Sequence, residues 1–72
     1  MYTDKLFGKE VLDIDANRIG KIVDIDVELL TGSVDHLLVK AGLTTKYKIS
    51  PGEIDKIGDR LILKIRADQL KK

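Results

Sequence analysis
The sequence predicts a small all-β domain: a five-to-six-stranded β-barrel, closed or nearly closed, with one short helical turn near residues 51–57. Three observations predict it. Residues 23–29 read Val-Asp-Ile-Asp-Val-Glu-Leu, an unbroken alternation of apolar and acidic residues with the period of a strand. Turn residues punctuate the chain at short intervals, too close together for long helices. Ile, Leu and Val supply 24 of the 72 residues, enough aliphatic surface for a packed core and too much for a disordered chain.

The elements follow in order. Gly8–Asp15 is rich in aliphatic residues and reads as a first strand. Asp15-Ala16-Asn17-Arg18 then suits a turn, because Asp15 and Asn17 tolerate left-handed dihedrals and bond to local backbone. Gly20 marks a bulge or a close backbone approach. In the alternating strand, Val23, Ile25, Val27 and Leu29 share one face and are expected inside. Asp24, Asp26 and Glu28 share the other. Leu30-Thr31-Gly32-Ser33 is a hairpin in which Gly32 takes the positive φ.

Val34–Lys40 is the next strand, and Ala41–Thr45 breaks it at Gly42. Lys46–Ile49 alternates again, with Tyr47 and Ile49 opposite the two lysines. Ser50, Pro51 and Glu53 form a capping-box pattern with Pro at the first helical position. Ile54 and Ile57 then fall at i, i+3 of a turn that Gly58 ends. Arg60–Arg66 is the last strand, and 67–72 is a polar tail expected to fray. Barrel closure would remove the exposed sheet edges.

The chain reads as one domain, residues 1–72 with a core of about 6–66. So short a chain buries only about 60% of its unfolded surface. Without Cys and with one His, it has no disulfide and no His-rich metal site to supplement the core. An efficient core or a shared one must compensate. No apolar run exceeds three residues, so no segment reads as a membrane helix, and no signal-peptide pattern is visible. A cytoplasmic location is the resulting expectation. Thirteen basic residues balance twelve acidic ones, without the basic excess usual in nucleic-acid binders.

Read in sequence, Gly8–Val11, Asp15, Asn17, Ile19–Asp26, Thr31–Val34, Ile49–Pro51, Ile54 and Lys56–Leu63 together resemble the PRC-barrel domain family over roughly residues 6–66. The resemblance implies a compact β-barrel module without enzymatic activity, acting as an adaptor. Related domains occur in photosynthetic reaction-centre H subunits and in a ribosome-maturation factor. Others are small stand-alone bacterial and archaeal proteins, the archaeal ones associated with cell division. This chain is similar to the stand-alone type.

Chemistry of its own is sparse. Asp13, Asp15, Asp24 and Asp26 would form a weak cation site only if their carboxylates converged, and strand residues two apart sit about 7 Å from each other. His36 is the single histidine. Ser33 and Ser50 fit turn and cap roles, and no phosphate-binding glycine motif is present. The sequence therefore predicts no enzyme, no cofactor and no metal. Structural turns and caps fall to Asn17, Gly20, Gly32, Ser50, Pro51 and Gly58.

The informative residues are aliphatic ones at outward parity. Ile22 shares parity with Asp24, Ile62 with Arg60 and Lys64, and Val34 with His36 and Leu38. Ile22, Val34, His36, Leu38 and Ile62 are thus the candidate interaction surface, since exposed apolar patches on small proteins mark association. The expected partners are a second copy, forming a homodimer, and an unidentified protein, with no membrane insertion. The competing expectation is an RNA- or ribosome-associated barrel using Lys46, Lys48, Lys64 and Arg66.

Overall fold
The structure, a computed structural model, describes residues 6–70. Six strands form one sheet: β1 (Glu10–Leu12), β2 (Arg18–Glu28), β3 (Ser33–Ala41), β4 (Thr45–Ile49), β5 (Ile54–Ile57) and β6 (Leu61–Leu63). The only helical segments among the described residues are 3-10 turns at Pro51–Glu53 and Ala67–Gln69. Strand order is β4-β3-β2-β1-β6-β5, so β4 and β5 are the two edges of a curled half-barrel. β1 and β6 pair in parallel, and every other pair is antiparallel.

The curl wraps one face around a core of Val11, Ile19, Ile22, Leu37, Val39, Ile49, Leu61 and Leu63. Each buried aliphatic side chain contributes about 1.5–3 kcal/mol. β6 shows the alternation in its simplest form: Leu61 and Leu63 are fully buried while Ile62, pointing the other way, is half-buried.

β2 departs from strict alternation. Ile22 pairs with Val39 and Asp24 with Leu38, which leaves Val23 as an extra residue in a β-bulge. The bulge shifts the side-chain phase by one. Ile22 therefore points inward and is 1% exposed, whereas Val23 is 43% exposed. This corrects the placement of Ile22 on an outer surface and of Val23 inside. Ile25, back in phase, packs on the core, but Val27 and Leu29 run past its end and are exposed. A second bulge, at Asp35, pairs Asp26 with His36 and Val27 with Val34. Val34 thus joins the row of Ile25 and Val27, not that of His36 and Leu38 as unbroken parity would require.

Gly20 sits where β2 meets β3, and a Cβ there would overlap the Lys40 carbonyl oxygen. Only glycine permits that approach. Gly32 adopts φ +73° in the hairpin. In the β1–β2 turn the left-handed residue is Ala16, φ 65°, rather than Asp15 or Asn17.

The helical turn expected over 51–57 is shorter. The Ser50 N–H and hydroxyl both donate to the Glu53 carboxylate, at 2.9 and 3.1 Å, and Pro51 starts the turn. Ile54 then returns to extended backbone, because residues 54–57 find ladder partners in β6. Ile54 is half-buried and Ile57 exposed. Gly58 consequently lies in the β5–β6 turn, where its N–H donates to the Arg60 carbonyl and its own carbonyl accepts from the Lys9 ammonium. Part of the tail is structured too: Ala67–Gln69 turns and Leu70 packs against the core, while 71–72 lie outside the described residues.

Candidate interaction surface
The four aspartates singled out in the sequence do not converge on a cation. Asp13 is buried, and its carboxylate is filled by donors from this chain. Oδ1 accepts from the N–H groups of Asp15 (2.9 Å) and Asn17 (2.7 Å). Oδ2 accepts from the Asn17 amide (3.3 Å) and the Ala67 N–H (2.9 Å). Burial pushes the Asp13 carboxyl up. The hydrogen bonds from Asn17, Ala67 and Asp15 outweigh it, and the group is held below its ordinary value. Asp13 is a latch joining the β1–β2 turn to the C-terminal segment. Asn17, expected as a turn residue, acts through this latch.

The five candidate surface residues separate. Ile22 is core. Ile62 lies on β6, with β1 and β2 between it and β3. Val34 is exposed beyond the core, opposite Val27. His36 and Leu38 remain together, half-buried on the outer face of β3, where Leu38 lies between Asp24 and Lys48. The four basic residues of the competing expectation separate as well. Three strands lie between β4, with Lys46 and Lys48, and β6, which precedes Lys64 and Arg66.

The outer face of β2–β3 instead carries a charge gradient along its length. At its base, strand register sets Lys21 opposite Lys40 and Lys40 opposite Lys46. All three are exposed. Directly opposed like charges are destabilising in a sheet. Glu10, the cross-strand neighbour of Lys21, gives its carboxylate to Arg18 (3.0 Å) and Arg60 (2.9 Å) instead. No ion pair among the described residues involves any of the three lysines. A shallow cavity of about 410 Å³ opens here, lined by Arg18, Lys21 and Lys40, with Gly20, Gly42 and Val23 beside them.

At the tip the sign reverses. Asp26, Glu28 and Asp35 are exposed, and the Asp35 bulge brings two carboxylates to His36. His36 Nδ1 lies 3.6 Å from Asp26 Oδ2 and 3.4 Å from Asp35 Oδ2. Of the described residues, only these three form a set whose potential metal-ligand atoms lie within 4.8 Å of one another. Beyond them project Leu29 and Leu30, 89% and 95% exposed. Neither the lysine row nor the His36 cluster is legible from spacing alone. Both depend on register across strands, and the second also depends on a bulge.

No helix among the described residues is long and apolar enough to cross a membrane. A search of curated proteins found no match. A family model for the PRC-barrel domain matches residues 1–70, nearly the whole chain, and the curled six-stranded sheet is consistent with that fold. The chain belongs to the PRC-barrel domain family.

Proposed function
We propose that the chain is a non-catalytic adaptor that self-associates as a homodimer and docks a partner protein in a cytoplasmic assembly, with cell division as the process to test first. PRC-barrel domains are general protein-interaction modules, which is the coarse basis of the reading. The observation that carries the finer part is the β2–β3 hairpin. Five of the nine exposed large hydrophobic residues in the described chain lie on it: Val23, Val27, Leu29, Leu30 and Val34. Such an array on so small a domain favours association. Val27 and Val34, paired across β2 and β3, extend the core row past the buried core, as a surface completed by another molecule would.

Cell division and the cytoplasm rest on the resemblance to small stand-alone archaeal proteins. They are tested by co-purification of the tagged chain from its native cells, with a Leu29→Asp/Leu30→Asp variant as control. Recovery of division proteins with the parent chain and not the variant supports the reading. A parent chain and variant that recover the same proteins contradict it. The RNA-associated alternative draws on one observation, the row Lys21–Lys40–Lys46. It predicts RNA binding that falls steeply with salt.

A further inference from the structure
The β2–β3 ribbon is charged like a bar with two poles. Its base carries Lys21, Lys40 and Lys46, with no ion pair to any of them among the described residues, and its tip carries Asp26, Glu28 and Asp35. Lys21 and Glu28 lie seven residues apart on one strand, about 23 Å at the rise of extended chain. Between the poles the same outer face presents the exposed Val23 and the half-buried Leu38, with the exposed Asp24 and Lys48 on either side of Leu38. We infer that the occupant of this face is a second copy of the chain, laid antiparallel along β2–β3, so that the lysine base of each protomer meets the acidic tip of the other.

Three features favour that occupant over an unrelated molecule. The first is charge complementarity. An antiparallel ribbon neutralises both poles at once, and it relieves the repulsion among lysines that face each other across the strands. The second is symmetry. The arrangement is a two-fold one in which the same patch serves on both sides, so it closes at two copies and does not propagate into a fibre. The third is the layout of the face. A two-fold axis passing near Leu38 puts that side chain at the centre, flanked by Asp24 and Lys48, and sets the lysine base and the acidic tip against each other at the two ends. An acidic peptide would satisfy the lysine base alone and leave Asp26, Glu28 and Asp35 facing solvent.

This inference rests on the homodimer reading and adds its geometry. The test uses two full-length variants, Lys21→Glu/Lys40→Glu and Asp26→Lys/Asp35→Lys, checked for folding by circular dichroism. Each alone places like charge against like charge at both ends of the dimer and should be monomeric. Mixed, they restore opposite charges at both ends, and sedimentation should show a one-to-one heterodimer. Folded variants that each still dimerise as tightly as the parent overturn the geometry while leaving self-association intact. So do two folded monomers that fail to combine. If a reversal variant does not fold, the neutral Lys21→Gln/Lys40→Gln variant decides. Dimerisation at least about tenfold weaker, with a flatter salt dependence, supports the arrangement. Unchanged dimerisation contradicts it. A parent chain that is monomeric at every concentration removes the homodimer reading itself.

Discussion

Asp13 illustrates how a single polar residue can be structural in so small a core. Its carboxylate accepts four hydrogen bonds, one of them from Ala67, fifty-four residues away in sequence. Because its folded-state pKa lies below the unfolded value, the stabilisation is present above the ordinary aspartate value of 3.8 and is lost as pH falls through the folded value. Asp13→Asn, which turns one acceptor into a donor facing N–H groups, should lower the urea midpoint at neutral pH. The gap to the parent should close under acid, a comparison made by denaturation series at several pH values. Gly20 supplies a second residue-scale prediction. Gly20→Ala forces a methyl group into the Lys40 carbonyl and should cost about 1–3 kcal/mol or more, read from the same series. Gly20 was legible as a close-approach site because only a glycine within a strand suggests one. The latch was not, since nothing in the spacing of Asp13 and Ala67 says that they meet.

At the scale of elements, the strand over 23–29 was legible from its alternation, but which face it buries was not. Alternation fixes which residues share a side, and a single extra residue reverses the assignment for everything beyond it. Val23 is that residue in β2, and Asp35 plays the same part in β3. The helical turn at Ser50 was legible from its cap, whereas its length was not, because β6 competes for residues 54–57 through ladder hydrogen bonds. The bulge at Val23 yields a direct contrast. Ile22→Glu places a carboxylate in the core and should cost about 3 kcal/mol or more, enough to leave a marginal domain largely unfolded. Ile62→Glu, on the outer face of β6, should remain folded. Circular dichroism melts of the two variants check this, and equal damage would contradict the bulged phase.

At the scale of the whole molecule, the half-barrel has β4 and β5 as its two edges, unpaired on their outer sides among the described residues. Its longest ribbon, β2–β3, extends past the core into exposed aliphatic and acidic residues. The expectation of one small barrel followed from composition and turn spacing, and the domain model covers the same stretch. The surplus of aliphatic residues was also visible in composition, but its location was not. Of the five residues first placed on a surface, only His36 and Leu38 stay adjacent on one strand's outer face, and the lysine row beside them emerges only from register. On this account, a chain with few internal means of stabilisation completes itself with a second copy.

Sedimentation equilibrium of the unmodified chain at low and high salt tests that claim most directly. The account predicts a mass of twice 8.1 kDa at low salt, shifting toward 8.1 kDa as salt screens the paired poles. A stably folded species of 8.1 kDa at every concentration and salt level would contradict it.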